Sequence, residues 1–142
     1  MLDGLFVAPA VAAIGEALAS ARADGKIAVL GNARLAAALA TSRDVVPVGL
    51  SPRAAKKLPT AIEDLGALGD GTLAAVVGTD PADITTLQAW ARAVRDGGAL
   101  ILVERGGKAA DASRRALCAG LTELEQRHVG RTIVTSGLVT HL

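Results

Sequence analysis

Apolar residues recur along this chain in two rhythms. Over residues 9–23 they fall at helical spacing, with Val11, Ile14 and Leu18 on one face, Pro9 suited to the first turn and Asp24-Gly25 to the stop. Residues 26–30 form instead a short apolar run between Gly25 and Gly31, as in a strand buried on both faces. Residues 32–41 predict a helix capped by Asn32, and residues 45–48 a second strand. Pro47 has no N–H to give a ladder, which places that strand at an edge or a bulge. Ser51-Pro52 opens a short helix through Leu58, and a short strand is expected around Ala61-Ile62.

The second half repeats the alternation. Residues 73–77 are a third apolar strand, followed by Gly78. Asp80-Pro81 or Asp83 starts a helix to about Arg95, with Ile84, Leu87, Trp90, Ala91 and Val94 on one face; Asp96-Gly97-Gly98 ends it. Residues 99–103 are a fourth buried strand, Gly106-Gly107 a loop, and 109–119 a helix stopped by Gly120. Residues 121–127 and 131–139, joined through Val129-Gly130, suit an antiparallel hairpin. Strands alternating with helices, most strands wholly apolar, predict an α/β fold with a mostly parallel sheet covered on both faces. We expect one domain over residues 1–142, with an N-terminal helix in 1–25 and the sheet core in 26–142.

Composition narrows the chemistry. The core must be aliphatic, because Phe and Trp occur once each and Tyr not at all, and ring platforms for stacking a base are scarce. A net charge of +1, with Arg53/Lys56/Lys57 and Arg114/Arg115 as the densest basic spots, predicts solvated helix faces and no nucleic-acid or membrane partner. Cys118 is the single cysteine, so there is no intrachain disulfide; its apolar stretch predicts a small core residue. His128 and His141 lack ligand spacing, so neither reads as a metal ligand or a general base. The apolar stretch from Leu5 to Leu18 is broken by Pro9, Gly15 and Glu16, too short to span a bilayer, and a cytoplasmic location is expected.

Four segments, in order, resemble the class I S-adenosylmethionine-dependent methyltransferases of the small-molecule type. Val48-Gly49-Leu50-Ser51-Pro52-Arg53-Ala54 is similar to that family's V-D-L-S-P-E-A, and the segment 70–77 to its D-G-S-F-D-A-V-V. The segment 95–104 is similar to L-K-P-G-G-R-L-L-I-V-E, and Ala119-Gly120-Leu121 with the hairpin to the family's last helix and strands. The resemblance implies a Rossmann-like, doubly wound sheet of seven strands, order 3-2-1-4-5-7-6, with an antiparallel C-terminal hairpin. It implies a ligand beyond the C-terminal ends of strands 1, 2 and 4.

Carried over residue by residue, the resemblance implies a cofactor site at Gly31, Asn32, Gly49, Leu50, Asp64, Leu65 and Gly78, in weak or vestigial form. The family's loop D/E-x-G-x-G-x-G keeps only Gly31 here; Ala33 takes the next glycine position, Arg34 adds a charge, and Ala28 or Val29 stands where the leading acid would be. Gly49 takes the place of the acid that accepts both ribose hydroxyls. Asp64 could accept from an adenine amino group or simply be a solvated turn. Gly78-Thr79-Asp80-Pro81 overlaps N/D-P-P-Y/F without the second Pro or the aromatic, so Asp80 reads as a helix cap. About 25 residues precede the first strand, and the later loops are short, which gives little to enclose a methyl acceptor.

These readings lead us to expect a methyltransferase-fold protein without catalytic activity, a binding or scaffold module working through a protein partner or as a homodimer, with no cofactor. Its self-association would use Leu2, Leu5, Phe6, Val7 and Val11, unless that helix packs on its own sheet. The alternatives are an active enzyme with atypical S-adenosylmethionine contacts, or a small-ligand sensor in the same crevice. An enzyme requires an open crevice with Asp64 reachable; a scaffold, a crevice filled by Arg34 or Leu50; an anion sensor, Arg34 and Arg53 both facing in.

Overall fold

The computed structural model describes residues 2–58, 60–79, 83–105 and 109–141. Strands β1 (Ile27–Leu30), β2 (Val45–Val48), β3 (Leu73–Gly78) and β4 (Val94–Arg105) pair in parallel, and β5 (Thr122–Val129) and β6 (Thr132–Leu138) form the closing hairpin. They make one sheet, order β2-β1-β3-β4-β6-β5, with β6 antiparallel to β4. The fold is thus α/β, mostly parallel with an antiparallel C-terminal hairpin, as the resemblance implied.

Successive strand residues alternate between two apolar layers. Ile27, Val29, Ala75, Val77 and Ile101 face α1 (Leu2–Ser20) and α2 (Ala33–Ala40), where Ile14, Leu18, Leu35 and Leu39 are buried. Ala28, Val76, Leu100 and Leu102 face α4 (Ile84–Ala93) and α5 (Ala109–Cys118), burying Leu87, Ala91 and Ala116. Period-two alternation with both faces apolar is what a sheet covered on both sides requires. The largest fully buried side chains are Ile, Leu and Val, as the composition demands.

The sheet has six strands rather than the seven expected. Around Ala61-Ile62 only one bridge forms, Val48 to Ile62 in parallel. Ile62 N–H donates to the Pro47 carbonyl (2.9 Å), and Gly49 N–H donates to the Ile62 carbonyl (3.0 Å). The next rung would need an N–H from Pro47, which has none, so the pairing stops there.

Several boundaries move. The first helix begins at Leu2, so Pro9 lies inside it and not in its first turn. Its stop is Arg22, at φ +52, with Ala23 N–H bonded back to the Leu18 carbonyl (2.9 Å), a Schellman-type closure ahead of Gly25. Asp96-Gly97-Gly98 does not end α4; the helix gives way at Val94, and β4 runs through the glycines in an irregular stretch where its register to β3 jumps. Ser51 caps only a four-residue helix, α3 (Pro52–Ala55). Cys118 is exposed, contrary to the expected core position: α5 turns Ala112 and Ala116 inward, and Cys118, two residues on, points away. Arg114 is solvated as expected, but Arg115 is not, its side chain being only 11% exposed. The Asp80-Pro81 start and the Gly106-Gly107 loop lie outside the described residues, as do the side chains of Leu2, Leu5, Phe6 and Val7. Val11 packs against the α1–α2 layer of its own chain.

Candidate functional site

Sequence order reverses between β1 and β3, and the crevice outside their C-terminal ends is where open α/β sheets take ligands. Register places Leu30 between Val48 and Gly78, so Gly31, Gly49 and Thr79 emerge side by side. Gly31 N–H donates to the Val48 carbonyl (3.0 Å) and then turns with φ +71 into α2. Asn32 caps that helix, its Oδ1 accepting from Leu35 N–H at 3.0 Å. Thr79 Oγ1 donates to the Leu30 carbonyl (2.9 Å), across the reversal itself.

The remaining expected residues flank this centre. Gly49 is exposed at φ +68, a conformation glycine adopts without strain, and Leu50 is half-buried. Beyond the Ile62 bridge, Asp64 is exposed and caps a 3₁₀ turn, Leu65–Leu68, with Oδ1 accepting from Gly66 N–H at 3.1 Å. Leu65 is buried in the α4–α5 layer. Gly78 carries the Trp90 ring: a Cβ there would stand 2.7 Å from Trp90 Cη2 and closer still to Cζ3. Asp83 caps α4, accepting from Thr86 N–H at 2.8 Å, and that bond holds its carboxyl below the usual value.

Arg34 and Arg53 do share a surface. A groove of about 470 Å³ runs between α2 and the segment that follows β2. Ala33, Arg34 and Ala37 form one wall, and Arg53, Ala54 and Lys57 the other, with Leu58 and Ser51 completing it. Among the described residues no acidic side chain lines it.

A buried ion network had no counterpart in the sequence reading. Glu104, near the end of β4, accepts from Arg115 Nη2 at 2.6 Å, and Arg115 Nε reaches Asp111 at 2.9 Å. Burial opposes the Arg115 charge, but the bonds and charges of Glu104 and Asp111 outweigh it and raise its pKa. Hydrogen bonds from Arg114 and then Arg115 lower that of Asp111. The available signal was a lone acid closing an apolar strand, which requires a partner when buried. His128 is exposed on β5, and His141 Nε2 donates to the Val94 carbonyl (2.6 Å) at the far end of β4 from the crevice.

Among the described residues no His, Cys, Asp and Glu cluster could hold a metal, and no helix is long and apolar enough to cross a membrane. No family model and no curated protein sequence matches the chain. Solved structures do, at the level of fold. A Methanococcus maripaludis protein described as a candidate S-adenosyl-L-methionine-dependent methyltransferase is 12% identical over 97% of this chain and 88% of its own, with a TM-score of 0.72. A Haloferax volcanii chain, from the complex of the Trm112 methyltransferase activator with a candidate methyltransferase, is 14% identical over 91% of this chain and 89% of its own, with a TM-score of 0.70. The T. thermophilus 16S rRNA N2 G1207 methyltransferase RsmC, solved with AdoMet and guanosine, is 23% identical over 82% of this chain, which spans 36% of that enzyme, with a TM-score of 0.62. The chain is structurally similar to class I S-adenosylmethionine-dependent methyltransferases.

Proposed function

We propose that this chain is a pseudoenzyme: a binding module on a methyltransferase fold, acting in the cytoplasm, that does not transfer methyl groups. The observation that carries the reading is the fate of the polar groups around the crevice. Thr79 spends its hydroxyl on Leu30, Asn32 its carbonyl on α2, and Asp64 one carboxylate oxygen on Gly66. Gly49 has no side chain to accept from a ribose diol. Measured against S-adenosylmethionine, the residues present do not fit, because no carboxylate stands at the end of β2 to hold the ribose and Ala33 takes a glycine position of the loop. Each missing charge-assisted bond forfeits about 1.5–3 kcal/mol.

Calorimetric titration with S-adenosylmethionine and S-adenosylhomocysteine tests this. No heat and no thermal shift at millimolar ligand are expected. Binding tighter than about 100 μM, roughly −5.5 kcal/mol, would overturn it.

A further inference from the structure

The groove between α2 and α3 joins three features that together specify a ligand. Arg34, Arg53 and Lys57 are all exposed on it, and among the described residues none of them is held in an ion pair. Three like charges around one concavity repel one another, and an anion between them relieves that repulsion. The surface beneath is methyl-rich, from Ala33, Ala37, Ala54 and Leu58, so the site offers hydrocarbon contact as well as charge. Its volume, about 470 Å³, falls in the range of small-molecule sites.

We infer that this groove binds an organic phosphate monoester with a short aliphatic body. Two guanidinium groups on opposite walls suit a phosphate, whose oxygens can face both, better than a carboxylate, whose two oxygens are filled by one fork. Among the described residues no aromatic side chain lines the groove, so an aliphatic body fits it better than a nucleobase. Arg34 and Arg53 hold the phosphate, Lys57 adds a third charge, and the alanines and Leu58 cover the hydrocarbon.

The test is titration of the full chain with n-hexyl phosphate, followed by calorimetry and amide chemical shifts, beside inorganic phosphate and hexanol. Hexyl phosphate is expected to bind at about 1 mM or tighter and about tenfold better than either fragment, with shifts concentrated in residues 33–37 and 53–58. R34Q/R53Q should weaken it about tenfold with the melting temperature unchanged. Ala37→Leu, which narrows the apolar part of the groove, should weaken hexyl phosphate and leave inorganic phosphate as it was. No binding, shifts elsewhere, an unaffected double variant, or displacement by S-adenosylhomocysteine would each overturn the assignment. Tight S-adenosylmethionine binding beside intact hexyl phosphate binding would sink the preceding proposal alone.

Discussion

Thr79 Oγ1 stands 2.9 Å from the Leu30 carbonyl oxygen, and that bond ties the end of β3 to the end of β1 where the chain order of the sheet reverses. Thr79→Val keeps the shape and removes the donor. We expect a loss of about 1 kcal/mol in urea unfolding, with Thr79→Ser close to the parent. Equal losses in both variants would show that the hydroxyl is immaterial.

Gly78 is the only residue type that fits beneath the Trp90 ring. Gly78→Ala forces the indole or α4 outward, and we expect it to cost about 1–3 kcal/mol by chemical denaturation. Gly15, where an added Cβ meets nothing and the backbone is helical, is the control for space. A Gly78→Ala protein as stable as the parent would mean that Trp90 moves aside freely.

Arg115 and Glu104 act as a pair. Arg115→Met leaves the Glu104 carboxylate, 1% exposed, without its guanidinium, and should cost about 3–5 kcal/mol. The double change Arg115→Met with Glu104→Leu should recover most of that. A double variant no better than the single one would show that packing, not charge, is what Arg115 supplies.

Acid should loosen the helix ends on the α4–α5 face first. Asp83 and Asp111 both have carboxyls held below their ordinary value of 3.8. A lowered folded pKa gives stability that is complete above the unfolded pKa and lost as pH falls through the folded one. Unfolding midpoints should therefore be flat down to about pH 4 and fall below it, and Asp83→Asn should flatten part of that fall. The measurement is thermal unfolding at stepped pH; a decline that begins near neutrality would point to other groups.

What was legible in the sequence was what local rules govern. The apolar runs of β1, β3 and β4 and the Asn32 and Ser51 caps follow from pattern and short-range chemistry, whereas the strand order comes from the family resemblance. What was not legible depends on residues distant along the chain. Arg115 looked solvated because Glu104, its partner, belongs to another element. Cys118 looked internal because an alanine-rich helix has more than one plausible inner stripe, and only the sheet beneath selects Ala112 and Ala116. The seventh strand failed on a rung count, since Pro47 permits one bridge and withholds the next. At the site, the strand ends at Gly31 and Gly49 were readable, and the anion-sensor reading has Arg34 and Arg53 facing one crevice, but the groove they share between α2 and α3 depends on the packing of two helices.

Trp90 is the single tryptophan of a chain without tyrosine. Its ring lies on the last residue of β3, half-buried, beside the place where ligands enter folds of this kind. Emission excited near the red edge of protein absorption therefore comes from one ring at one address. The protein carries its own optical gauge of that strand end, and any guest or rearrangement that shifts the ring registers as a change in colour or brightness without a label.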